Sequence, residues 1–290
     1  MDPYLRTLGA ELRRLGVPAR RRRRILAEAR DHLRSDPGTL ARFGDARAIA
    51  QECADELGGT AARRLSVAAF AVLAVAGAVF SALLLAIFTV VPARALACCT
   101  ATPPAQVITL AVLVVAPQVA FVSGVLALIR AVRLRGHAPL PAAEVRTLRR
   151  RSAVALASGV ASMSALALFV TEYAALLPAW SQPAVYAGTA LSVLLVLPMA
   201  VPLVVTSRIR VQTAGTAGDV FADVGGVVPA PLRGHPWAFA GAVAAVVAVA
   251  VLAPGVAADD AFDAALRALA ETLACLAGFA ALGRFLSLRH

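Results

Sequence analysis

Residues 66–91 read SVAAFAVLAVAGAVFSALLLAIFTVV, an apolar run with no charged side chain in it. About 20 apolar residues carry a helix across a hydrocarbon layer roughly 30 Å thick, so the run predicts a membrane-spanning helix. It follows a segment of opposite character: fourteen of the first 65 residues are arginine. The boundary at Ser66 therefore divides a basic, polar head from an apolar remainder. No cleavable apolar leader is visible ahead of it, so 66–91 is itself expected to direct insertion.

Five further apolar stretches follow, at 106–129, 153–177, 184–205, 237–256 and 264–286. The hydrophobic fraction is 60% and the mean hydropathy +0.77, well above the roughly 45–50% apolar content of soluble domains. The expected fold is all-α: a polytopic bundle of six transmembrane helices over 66–290, preceded by a small cytosolic three-helix domain over 1–65. Net charge is +11, and every basic Lys/Arg position is an arginine.

Arginine placement supplies an orientation, because cytoplasmic loops carry the excess of positive charge. The loop after the first stretch holds Arg94, and 178–183, after the third, holds none. The loop after the second holds Arg130, Arg133, Arg135, Arg146, Arg149, Arg150 and Arg151, and the one after the fourth holds Arg208, Arg210 and Arg233. The alternation predicts a multi-pass protein of the inner (plasma) membrane with both termini in the cytosol. Trp180 and Asp259 then fall on outer loops. Arg267 and Glu271 interrupt the sixth stretch one helical turn apart, close enough to pair near the outer surface. Pro198 and Pro202 predict a kink in the fourth, and small residues every fourth position (Ala153, Ala157, Ala161, Ala165; Ala240, Ala244, Ala248) permit close helix packing. Cys53, Cys98, Cys99 and Cys275 have no metal-ligand spacing, and no disulfide framework is expected.

The head divides into three amphipathic helices. Asp2-Pro3 is a helix start, Leu5, Leu8, Leu12 and Leu15 share a face, and Gly16 stops the helix. A second helix opens at Pro18, aligns Ile25, Ala29 and Leu33, and runs into Ser35-Asp36-Pro37-Gly38. Asp45 is placed to cap a third, with Ile49, Cys53 and Leu57 aligned and Gly58-Gly59 as its expected end. A core this small is marginal, so docking to the membrane part or to a partner is expected.

The run Tyr4-Leu5-Arg6-Thr7-Leu8-Gly9-Ala10-Glu11-Leu12, then Arg24 through Leu33 with Asp31-His32-Leu33, then Arg42-Phe43-Gly44-Asp45 followed by Ile49-Ala50, resembles the HAAS family, the helical signalling domain encoded beside PadR-type winged-helix regulators. It is also similar to the permease prefix domain. The resemblance covers about residues 4–60, and the stretch between Leu33 and Arg42 is shorter than the family's. It implies a cytosolic module that binds a PadR-type regulator or another membrane protein, with Asp31, His32, Phe43, Gly44 and Asp45 at the matching positions. Read on their own, these residues also fit structural roles: Asp31 and His32 bracing the second helix, Phe43 filling the core, Gly44 allowing the turn.

The unbroken run Arg20, Arg21, Arg22, Arg23, Arg24 fits attraction to an anionic inner leaflet. Direct nucleic-acid binding is not expected, because no aromatic platform or base-reading helix accompanies the charge. Asp219 with Asp223, and Asp259, Asp260 and Asp263, resemble the aspartate pairs with which membrane prenyltransferases hold magnesium diphosphate. The charge pattern puts the two clusters on opposite sides of the membrane, which argues against a shared site. Glu172 is the remaining intramembrane carboxylate, with Arg267 or Tyr173 as possible partners. No phosphate-binding loop, metal spacing or nucleophile constellation is present, so no catalytic residue, metal or cofactor is assigned. A non-enzymatic signalling or scaffolding protein is the leading expectation, ahead of a small transporter or permease component.

Overall fold

The computed structural model describes residues 3–35, 44–90, 104–137 and 139–218, together with separate helical positions between 237 and 280. No strand occurs among the described residues. The chain falls into two compact units, Met1–Ala217 and Gly218–His290.

The first unit contains α1 (Pro3–Arg14), α2 (Ala19–Ser35), α3 (Ala46–Val90), α4 (Pro104–Arg133), α5 (Ala142–Glu172), α6 (Ser181–Val196) and α7 (Ala200–Arg208). A 3-10 turn, Leu134–Gly136, follows α4, and another, Leu197–Met199, joins α6 to α7. Four helical segments among the described residues are long and apolar enough to cross a membrane: Ala46–Ile87, Ile108–Gly136, Ala142–Glu172 and Ser181–Arg208. They correspond to the first four apolar stretches. Their outer faces present bare hydrophobic side chains, with Leu85, Phe121, Leu194 and Val201 each about two-thirds exposed. A surface of that kind suits lipid and would drive aggregation in water.

The interior of these helices is built from Phe80, Ile87, Met163, Leu166, Phe169, Val170 and Val185. Close approach is set by glycines. A Cβ on Gly188 would come within 2.7 Å of Leu83 Cδ1, and one on Gly159 would run into Leu73. The alanine stripe expected on α5 joins the seam only in part: Ala165 is buried, Ala153 and Ala161 are half-buried and Ala157 is exposed, while the buried side also carries Ser152, Ala155, Leu156, Ser162, Met163 and Leu166. A stripe of alanines offers several rotations about the helix axis, and the neighbours α3, α4 and α6 select among them.

The break in the fourth crossing falls at the prolines. Neither Pro198 nor Pro202 has an N–H to give the carbonyl four residues earlier, and the chain tightens into Leu197–Met199 around Pro198 before resuming as α7, which holds Pro202 in its first turn.

At the N-terminal end, α1, α2 and the first part of α3 share a core of Leu5, Leu8, Leu12, Leu15, Val17, Ala29, Ala46, Ala50 and Ala54. Helix α1 closes in a Schellman motif: Gly16 N donates to Arg13 O at 3.0 Å and Val17 N to Leu12 O at 2.9 Å, with Gly16 at φ +78°. Gly16 also lies so close against the Arg208 carbonyl that a Cβ would overlap it. The third helix departs from expectation. It does not stop at Gly58-Gly59 but runs unbroken to Val90 as α3. Those glycines serve packing instead of termination: a Cβ on Gly58 would collide with Val211, and one on Gly59 would press on Leu140 at 3.2 Å.

In the second unit, Ala240 and Ala244 are buried at 2% exposure each and Ala268 at 4%. That fits close packing through small side chains on this segment. The fifth and sixth apolar stretches as wholes, and with them Arg267, Glu271 and the aspartates at 219, 223, 259, 260 and 263, lie outside the described residues.

Candidate interaction site at the basic end of the bundle

The residues after α7 do not leave the bundle as a simple loop. They form an extended strap, 209–217, that crosses the base of the head. Ile209 is buried at 4% exposure in the three-helix core, Val211 packs against it, and Arg210 N donates to Leu15 O at 2.9 Å. Further along, Ala142 N at the start of α5 donates to Thr213 O at 3.0 Å. Gly215, at φ +152°, packs against Pro141, where a Cβ would come within 2.8 Å of the ring.

Asp55 of α3 is the fastening point. It is 5% exposed, and its carboxylate accepts from Gln212 N at 2.8 Å, Thr213 Oγ1 at 2.7 Å and Gln51 Nε2 at 2.8 Å. Three neutral donors thus meet the buried charge. A carboxylate so satisfied is stable inside the protein, and each donor would lose a charge-assisted bond if it were removed.

Arginines bind the other helix ends together at this end. Arg130 of α4 and Glu144 of α5 form a two-point ion pair, both side chains being largely buried. Arg63 donates to the carbonyls of Leu134 and His137, which close the end of α4, where a cation complements the helix dipole. Arg149 Nη1 donates to Thr206 O of α7 at 2.6 Å, and the fully buried Arg151 donates through Nη1 to Leu126 O at 3.3 Å. Ser66 and Ser152 hydroxyls meet at 3.0 Å beneath them.

The residues singled out from the resemblance occupy separate elements. Asp31 and His32 are exposed on α2, and the Ser35 hydroxyl donates to the Asp31 carbonyl at 2.8 Å. Phe43 lies outside the described residues. Gly44 has φ +76°, and a Cβ there would meet nothing within 4 Å, so its requirement is conformational. Asp45 occupies the capping position of α3, its carbonyl accepting from Ile49 N at 3.1 Å. It stands near Tyr4, whose phenol is pushed up in pKa by burial first and then by Asp45 and Cys53. The basic run Arg20–Arg24 occupies the first turns of α2, with Arg24 paired to Glu28 at 2.8 Å. Cys53 is a half-buried thiol without a disulfide.

Glu172 ends α5 and is exposed at the opposite end of the bundle. Its partner is not Tyr173: Thr109 Oγ1 of α4 donates to Glu172 Oε1 at 3.4 Å, while Tyr173 OH donates to Gln106 Oε1 at the same distance. No cluster of three or more His, Cys, Asp or Glu with metal-holding geometry occurs among the described residues.

The strap and Asp55 escaped sequence reading. A lone aspartate between Ala54 and Glu56 has the look of a solvated helix face, and 209–217 carries only a short apolar–polar alternation. The small neighbours Ala54 and Gly58, which leave room for another chain segment, were the available signal. No protein-family model, curated protein or solved structure matches the chain.

Proposed function

We propose that this chain is a non-enzymatic integral membrane protein of the inner (plasma) membrane whose N-terminal helical module, of HAAS type, binds a cytosolic regulator or partner. The observation that carries this reading is the strap: the head's core is completed by Ile209, the residue directly after α7. A change in the fourth crossing would thereby reach the module through covalent chain and a shared core. Exposed α2 residues Asp31 and His32 then offer a partner surface whose presentation depends on the state of the membrane helices. Orientation with the head in the cytosol agrees with the gathering of Arg63, Arg64, Arg130, Arg149, Arg151 and Arg208 at this end.

Because Ile209 belongs to the head's core, the test uses the full chain in lipid nanodiscs, not a fragment ending at residue 65. A PadR-type winged-helix regulator is titrated onto it. Saturable binding that falls about tenfold or more in Asp31→Ala/His32→Ala supports the proposal. No binding, together with solute or proton flux that is lost in Glu172→Gln, would instead support a small transporter or permease component. That second reading draws on the 3-10 interruption at Leu197–Met199 and on the Glu172–Thr109 contact between two crossings.

A further inference from the structure

Beside the strap, a groove of about 310 Å³ opens between the start of α2, the middle of α3 and α7. Its lining is of mixed character: Leu57, Leu65, Ala68, Pro202 and Val205 are apolar, while Arg21 and Arg64 are charged. Arg64 stands two residues before the apolar run that begins at Ser66, and the groove reaches α7 just before its terminal Arg208. The groove therefore lies where the apolar part of the bundle meets its basic end. Both arginines are exposed, and neither is engaged in an ion pair among the described residues.

Two guanidinium groups beside an apolar channel define an amphipathic anionic ligand. A soluble acidic metabolite would leave the channel unfilled, and an apolar ligand would leave the charges unmet. Arginine suits a phosphate oxygen pair better than lysine does, because its planar fork donates two parallel bonds. The inner leaflet supplies such ligands at high local concentration.

We propose that this groove binds a single anionic phospholipid, its phosphate between Arg21 and Arg64 and the head of one acyl chain against Leu65, Ala68 and Val205. The lipid so placed bridges α2 of the head to α3 and α7 of the membrane part. It adds to the docking already made by the strap, and any ligand bound only by the docked form stabilises that form. This goes beyond general attraction of a basic run to the bilayer, since it assigns distinct roles within that run: Arg21 lines the groove, whereas Arg20 and Arg23 do not. It does not rest on the identity of any protein partner.

The test uses the full chain purified in a neutral detergent, with native mass spectrometry counting retained lipid and thermal unfolding reporting stabilisation. Phosphatidylglycerol is expected to be retained as a single molecule and to raise the melting temperature, with phosphatidylcholine doing neither. Arg21→Gln/Arg64→Gln should weaken retention by about tenfold or more, whereas the charge-matched Arg20→Gln/Arg23→Gln should weaken it by less than about threefold. Val205→Trp, which fills the channel and keeps both charges, should also abolish retention, so the proposal remains testable if the double variant folds poorly. Equal losses in the two double variants, or retention in Val205→Trp, would overturn the proposal. So would equal stabilisation by inorganic phosphate, which would make the site one for a free anion.

Discussion

At the scale of single residues, Asp55 has the largest consequence for the architecture at the basic end. Its two oxygens hold the backbone of Gln212 and the hydroxyl of Thr213 as well as Gln51 on its own helix. Removing the carboxylate leaves a buried amide and hydroxyl without their acceptor, at a cost of roughly 1.5–3 kcal/mol per charge-assisted bond before relaxation. Asp55→Ala is expected to destabilise the folded chain by about 3 kcal/mol in thermal or denaturant unfolding in detergent, and Asp55→Asn by less, since one acceptor oxygen survives. Limited proteolysis should cut within 209–217 far faster in Asp55→Ala than in the parent. Equal cutting rates would mean that the strap is held by Ile209 alone. Gly16 and Gly44 were legible at this scale because a helix stop and a turn at the right places each carry a chemical reason. Asp55 was not, because its role is created by residues more than 150 positions away in sequence.

Among the elements, α3 combines two expected pieces into one. The amphipathic stripe that begins at Asp45 and the apolar run that begins at Ser66 were each readable, and both are helical. What could not be read was the absence of a break between them. Glycine has two uses, as a residue that tolerates left-handed backbone and as one that lets a neighbour come close, and sequence does not distinguish them. At Gly58 and Gly59 the neighbours Val211 and Leu140 decide for the second. Continuity has a direct test. Inserting one alanine after Arg64 rotates the head about 100° relative to the crossing part while lengthening α3 by only about 1.5 Å. Asp55 would then face away from the strap, and cutting within 209–217 is expected to rise to the level of Asp55→Ala. A stretch that was truly broken at Gly58-Gly59 would absorb the insertion with no change in cutting. The fourth crossing is the contrasting case: prolines state their effect chemically, and the interruption appears where Pro198 and Pro202 put it.

For the molecule as a whole, composition and apolar run length were enough to identify a helical chain with at least four helices of crossing length, because the demand for about 20 apolar residues per crossing leaves few alternatives. The packing of those helices was less legible, since alanine-rich faces differ little in sequence, and the contacts at Gly159 and Gly188 depend on partners far along the chain. Orientation is testable with the native thiols. In inverted and right-side-out vesicles, a membrane-impermeant maleimide should reach Cys98 and Cys99 from the outer side, while Cys53 should be reached, slowly because it is half-buried, from the cytosolic side. Labelling of the Cys98-Cys99 pair from the cytosolic side would reverse the orientation argued from arginine placement.

The unbroken α3 also has a mechanical meaning. With the apolar part of α3 set across a bilayer, as proposed above, some twenty residues of the same helix, from Ala46 to Leu65, would stand beyond it and would act as a lever whose fulcrum lies near the lipid headgroups. With about 30 Å of arm outside, a change of only about 10° in tilt, well within what a change in bilayer thickness demands of a crossing helix, sweeps the far end by about 5 Å. Since the strap joins that arm to the tail of the fourth crossing, the sweep is measured against a second membrane helix rather than against solvent. In that setting the continuity of α3 would convert lipid-scale tilt into a displacement as large as a side chain.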